Sequence, residues 1–352
     1  MNLPEQASQL KRLSTLDRFL PLWILLAMGA GLLLSQSFPS TPRALESVQI
    51  EGVSLPIAIG LLVMMYPPLA KVRYHMLSGF VTKWRLFQVS LFLNWIVGPI
   101  LMTALAWIFF PNETEFRNGL ILVGLARCIA MVLVWNSLAC GSSEIAAILV
   151  ALNSIFQILT YSLFGWFFMS VLPMWVGSES AALSISIWSI AKSVLVFLGI
   201  PFLLGFLSRF LFTQWKGEAW VESQFLPFIS PFALLGLLYT IVLIFAMQGN
   251  TLLSKPIAVV SIAVPLLLYF VLMFSLSFWL SYVTKHTYEE SASIAFTASG
   301  NNFELAIAVA IGTFGITSGE ALAATVGPLV EVPALVSLVY LSLWFQRRFY
   351  SN

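Results

Sequence analysis

The stretch Ala295-Phe296-Thr297-Ala298-Ser299-Gly300-Asn301-Asn302-Phe303-Glu304 decides how this chain folds. It lies inside a long apolar run, yet Ser299, Gly300, Asn301 and Asn302 each favour turns or caps over a helix interior. In a bilayer, non-helical backbone is tolerated only where it is buried in protein or lines a watery cavity. The stretch therefore predicts a membrane helix unwound near the midplane, with Glu304 in the first turn of its second half. Half-helix ends and freed backbone groups at such a break bind ions and polar solutes. At Glu304 the helix dipole favours the ionised carboxylate while burial favours the protonated acid, the opposed pulls expected of a proton carrier.

Of 352 residues, 59% are hydrophobic and 9% charged, against about 25% charged in soluble proteins. So little charge cannot coat a soluble protein of this size. Candidate spans fall at 19–38, 54–71, 86–110, 118–138, 145–172, 186–212, 226–247, 256–283, 290–315 and 321–345, most of them near the roughly 20 residues needed to cross a bilayer. With the N-terminus inside, twelve Lys and Arg fall on the inner side and four (Arg43, Arg117, Lys192 and Lys255) on the outer, as the positive-inside rule requires. That pattern needs an even count, so ten spans with both ends cytoplasmic are expected. Residues 1–18 carry no cleavable signal pattern. A net charge of +2, with the basic residues in short loops, gives no footing for nucleic acid.

Transporters are often built from inverted repeats, and the two halves match at an offset of half the chain. Gly29 falls on Gly205, Gly60 on Gly236 and Gly124 on Gly300, where composition alone predicts about 0.6 such coincidences. At the same offset Cys128 falls on Glu304. The fourth and ninth spans are thus partners, each carrying the unusual polar residues of its half.

Several residues compete for roles. Arg127, in mid-span, must face protein or water; it either pairs with Glu304 structurally or belongs to the site. Cys128 reads as a small buried hydrophobe or a ligand. Glu331, between Pro328 and Pro333, is a second intramembrane acid, and the prolines predict local unwinding around it. Asn153 and Gln157 are one turn apart and suit helix–helix hydrogen bonding as much as ligand contact. Tyr66-Pro67-Pro68 predicts an end or kink in the second span. Cys128 and Cys140 give neither a disulfide framework nor zinc-binding spacing. No nucleotide loop, histidine cluster or hydrolytic triad appears, and His75 and His286 lie in loops, so neither an enzyme nor a bound cofactor is implied.

The longer strings carry a resemblance. They run from Gly60 through Met64-Met65-Tyr66-Pro67-Pro68 to Tyr74, Gly124 through Arg127-Cys128 to Val132, Val134-Trp135-Asn136, Ala151-Leu152-Asn153-Ser154-Ile155-Phe156-Gln157, Asn301-Asn302-Phe303-Glu304, Gly327-Pro328-Leu329-Val330-Glu331-Val332-Pro333 and Trp344-Phe345-Gln346-Arg347-Arg348. Together they resemble the arsenite efflux permeases of arsenical resistance, in the bile acid/arsenite/riboflavin transporter superfamily.

The resemblance implies an all-α polytopic membrane protein of ten helices in two inverted five-helix repeats, with the fourth and ninth broken and crossing. Helices 1, 2, 6 and 7 form a panel, and 3–5 and 8–10 a core that slides or rocks against it. Expected boundaries are a cytoplasmic segment 1–18, a first repeat 19–172, an external connector 173–185, a second repeat 186–345 and a cytoplasmic C-terminus 346–352. The implied activity, at the cell membrane, is export of arsenite, and in some members antimonite, driven by inward protons. Cys128 corresponds to the family's arsenic contact and Glu304 to its proton-coupling acid. Asn301, Asn302, Arg127, Asn153 and Glu331 complete the expected site. Cys140 departs from the pattern, which has glycine there, and takes no role. The competing reading on the same fold is a sodium-coupled symporter of an organic anion.

Overall fold

The computed structural model describes residues 19–38, 40–46, 49–50, 52–72, 83–177 and 186–350. The segment 1–18, Arg73 and His75, and most of the expected connector 173–185 lie outside the described residues. What is described is almost wholly helical. The helices are α1 (Leu20–Ser37), α2 (Leu55–Ala70), α3 (Trp84–Phe109), α4 (Thr114–Leu125), α5 (Met131–Leu138), α6 (Ser143–Trp175), α7 (Ile187–Lys216), α8 (Glu218–Ser254), α9 (Pro256–Val283), α10 (Tyr288–Ser299), α11 (Phe303–Phe314) and α12 (Gly319–Phe349). A short helix, Thr41–Glu46, and a two-residue hairpin pairing Gln49–Ile50 with Val53–Ser54 bridge α1 and α2.

Among the described residues, seven helices are long and apolar enough to cross a membrane: α1, α3, α6, α7, α8, α9 and α12. Helix α2 is a shorter apolar helix, as is α11. The predicted span 118–138 resolves into α4 and α5, and 290–315 into α10 and α11. The seventh span is longer than its apolar stretch, because α8 starts at Glu218, where Glu218 and Glu222 both pair with Arg209 of α7.

The prolines of α12 act differently from expectation. Helix α12 runs unbroken through Pro328 and Pro333. Its packing against α4, α9 and α11 holds it through both positions, despite the hydrogen bond each proline removes. In α2 the helix ends two residues after Pro68, as Tyr66-Pro67-Pro68 predicted.

The heaviest contacts fall within two groups of helices, bridged by the N-terminal part of α7, which packs on α6 and α11. Helix α8 packs on α1 and α2, and α7 on α2. Helix α12 packs on α4, α9 and α11, while α9 also packs on α10 and α4 on α3. Two glycines picked out by the half-chain offset make the α2–α8 crossing. A Cβ on Gly60 would lie 2.3 Å from Thr240 Oγ1, and one on Gly236 would lie 2.8 Å from the Met64 backbone nitrogen. Small residues at such points let membrane helices approach closely.

Candidate functional site

The two helix breaks meet each other. Arg127 pairs with Asn301 in an isolated antiparallel bridge. The Cys128 amide donates to the Gly300 carbonyl at 3.2 Å, and the Asn302 amide donates to the Ala126 carbonyl at 3.0 Å. Each unwound segment thus satisfies backbone groups of the other, which a hydrocarbon surround demands.

Four helix ends converge there. Helices α4 and α10 end at the crossing, and α5 and α11 begin at it. A helix C-terminus leaves carbonyls unpaired and carries partial negative charge. The buried Arg127 guanidinium serves both C-termini: Nη1 donates to the Ala298 carbonyl at 3.0 Å and to the Tyr269 hydroxyl at 2.8 Å, and Nη2 donates to the Gly124 carbonyl. Gly98 leaves room for it, since a Cβ there would lie 3.0 Å from Nη1. The Asn301 side-chain amide donates to the carbonyls of Val123 at 2.7 Å and Ala126 at 3.2 Å, closing the end of α4. The Gln157 carbonyl oxygen accepts from the Arg127 amide.

Site residues also lie at the two N-termini. Asn302 Oδ1 accepts from the Leu305 amide at 3.0 Å, capping α11, and Glu304 lies in the first turn of that helix. The amides of Met131 and Val132, in the first turn of α5, approach the Cys128 sulfur.

Cys128, Asn302 and Glu304 share a small buried cavity with Met64, Met65, Ile129, Ala130, Met131 and Leu237. Its volume is about 10 Å³, near the least that holds one water. It adjoins a larger cavity of about 230 Å³ that borders Pro68, Lys71, Ser137 and Ser230; Ala130, Met131 and Leu237 are common to both.

The other expected site residues stand back from this cavity. Arg127 makes no ion pair with Glu304; its partners are carbonyls and a tyrosine. Asn301 holds α4. Glu331 is fully buried, with neither carboxyl oxygen hydrogen-bonded among the described residues, and lies near Cys128, Glu304 and the Asn301 amide. Asn153 accepts from Trp95 Nε1 at 3.1 Å and donates to Asn94 Oδ1 at 3.3 Å, tying α6 to α3. Sequence reasoning did not assign Met64, Met65, Met131 or Leu237 to the site. The Met64-Met65 pair lies in the Gly60–Tyr74 string, but methionine in an apolar helix reads as core filling.

Half-helices meeting end to end around a small cavity that holds a few polar groups are an architecture of membrane transporters. Related proteins place the chain more closely. Residues 58–255 match the Sodium Bile acid symporter family. The chain is 55% identical to the Arsenical-resistance protein Acr3 of Corynebacterium glutamicum over 341 residues, 97% of this chain and 92% of that protein. It is 31% identical to the Acr3 of Alkaliphilus metalliredigens, over 94% and 93% of the two chains, and 34% identical to an uncharacterized transporter of Synechocystis, over 95% and 91%. The chain belongs to the sodium/bile acid symporter family, among its arsenical-resistance members, and is a membrane transporter rather than an enzyme.

Proposed function

We propose that this protein exports arsenite from the cytoplasm in exchange for protons. One observation carries the reading: Cys128 and Glu304 line a single small cavity where two helix breaks cross. Arsenite at neutral pH is a small uncharged trihydroxide whose arsenic is thiophilic, so Cys128 contacts the arsenic. One thiol, rather than three, leaves binding weak enough for release. Asn302 and the N-terminal amides of α5 and α11 face the hydroxyls. Arg127 and Asn301 hold the frame, and Asn153 steadies α6 behind it. Glu304 binds the incoming proton and the solute in alternation, with Glu331 buried beside it.

In this reading the chain has ten spans in two inverted five-helix repeats, with both ends cytoplasmic. The panel is α1, α2, α7 and α8, and the core is the remaining helices. The excess of Lys and Arg on the inner side supports the orientation, and the reciprocal Gly60 and Gly236 contacts support the repeat. The larger cavity lies at the cytoplasmic end, beside Lys71 and Ser230, and leads by Met131 and Leu237 to Cys128. On the opposite side the two groups touch: Gln248 donates to the Ile316 carbonyl at 3.0 Å, and a Cβ on Gly52 would stand 3.2 Å from the Gly312 Cα. Loading from the cytoplasm followed by movement of the core past these contacts completes the export step.

The test is pH-gradient-driven arsenite uptake into everted vesicles, with wild type beside Cys128→Ser, Cys128→Ala and Glu304→Ala at matched protein levels. Wild-type uptake that follows the proton gradient and ignores sodium is expected, with a loss of tenfold or more in each variant. Full uptake by Cys128→Ser would remove the thiol from the mechanism. Uptake that needs sodium and ignores pH would point instead to the organic-anion symporters of the same family.

A further inference from the structure

Four of the nine residues around the small cavity carry sulfur: Cys128, Met64, Met65 and Met131. The chain has 11 Met and 2 Cys in 352 residues, 13 in all, so nine positions drawn by composition would hold about 0.3. The methionines are buried, and Met65 Sδ accepts from the Asn302 side-chain amide at 3.9 Å. That contact fixes one thioether at the break that also presents Glu304. Methionine commonly fills irregular gaps in a core. Here, however, the three surround a space that they leave open. Among the described residues, no three His, Cys, Asp or Glu side chains converge as a metal-ion site. The soft donors available beyond Cys128 are therefore thioethers.

We propose that Met64, Met65 and Met131 determine specificity, their thioether sulfurs making secondary contacts to a trivalent arsenic or antimony atom held by Cys128. This inference rests on the export reading above. When Cys128 bonds arsenic, the thiol proton leaves with one arsenite hydroxyl as water. The thioethers have no proton to lose and donate a lone pair without further bond exchange. Thioethers and thiolates alike prefer soft centres, so antimony gains more from them than arsenic. The donors come from both helix groups: Met64 and Met65 from α2, Cys128 and Met131 from the crossing. Separation of the groups strips two of the four sulfurs from the bound atom, which turns the same movement into a fall in affinity.

Met→Leu substitutions keep the volume and remove the sulfur. The experiment compares wild type, each single variant and Met64→Leu/Met65→Leu/Met131→Leu in everted vesicles, with arsenite and antimonite as substrates. A second assay, on purified protein in detergent, reads how far each metalloid protects Cys128 from maleimide alkylation. The triple variant is expected to raise KM for antimonite about tenfold and for arsenite about threefold with kcat little changed, and to weaken protection in the same order. Each single variant shows a smaller shift in the same direction. Unchanged KM ratios and unchanged protection, in variants that elute as folded protein, would overturn the proposal while leaving arsenite export intact. Absence of both transport and protection in wild type would instead overturn the export reading beneath it.

Discussion

Cys128 and Gly300 sit face to face across the crossing. The Cys128 amide donates to the Gly300 carbonyl at 3.2 Å, and a Cβ built on Gly300 would stand 3.2 Å from the Cys128 Cβ and 3.1 Å from the Phe296 carbonyl. The thiol is thus placed by a backbone pairing that a side chain at Gly300 would wedge apart.

Gly300→Ala should therefore shift the thiol without removing it. The expected result is a loss of about 1–2 kcal/mol of stability from overpacking, with arsenite transport down tenfold or more and a changed rate of Cys128 alkylation. Thermal melting and maleimide kinetics on the purified variant check the two parts separately.

Arg127→Lys tests the clamp on the two helix C-termini. A lysine ammonium lacks the planar fork that reaches several acceptors at once. Loss of two of the guanidinium bonds, at about 1.5–3 kcal/mol for each charge-assisted bond, should lower the melting temperature and abolish transport. Tyr269→Phe removes a single partner and should give a smaller fall in melting temperature with transport partly kept.

Gly327→Ala should be among the most damaging small substitutions in α12. Its Cβ would overlap the Phe303 ring, with the nearest ring carbon 1.7 Å away, and Phe303 opens the helix that carries Glu304. A cost of about 2–3 kcal/mol is expected. Adding Phe303→Leu should restore part of the stability, and a double-mutant cycle reads that coupling directly.

Cys140→Gly should be tolerated. Cys140 lies in the loop after α5 with φ of 58°, a left-handed conformation that costs a side-chain-bearing residue about 1–2 kcal/mol. Burial and the nearby Glu289 push its thiol above the usual cysteine range, which disfavours the reactive thiolate. Full arsenite transport and a slightly raised melting temperature are the expected readouts.

The two breaks differ in how far the sequence exposes them. Ser299-Gly300-Asn301-Asn302 resists helix through local preferences alone, so the end of α10 and the start of α11 were legible residue by residue. Ala126-Arg127-Cys128-Ile129-Ala130 has no comparable preference. Its unwinding is a tertiary effect, imposed by backbone bonds to Gly300 and Asn302, and only the family resemblance implied it. The coincidence of Gly60 with Gly236 at the half-chain offset was legible, but their contact across α2 and α8 was not. Pro328 and Pro333 overstated local unwinding because a densely packed helix carries them. Glu304, Asn302 and Cys128 reach the cavity, whereas Arg127, Asn153 and Asn301 build its frame. That division depends on side-chain direction, which spacing does not encode.

The convergence of two helix N-termini and two C-termini has an electrical consequence. Each end carries about half an elementary charge, positive at α5 and α11 and negative at α4 and α10, so the four nearly cancel. Such a crossing offers local dipoles to hydroxyl groups, and its net field is set by the buried Arg127 guanidinium and the protonation of Glu304 and Glu331 rather than by the helix ends. In an exchange of uncharged solute for protons, the membrane voltage acts on the proton side of the cycle alone. Each 100 mV, negative inside, then adds about 2.3 kcal/mol per proton to the outward pumping of the solute.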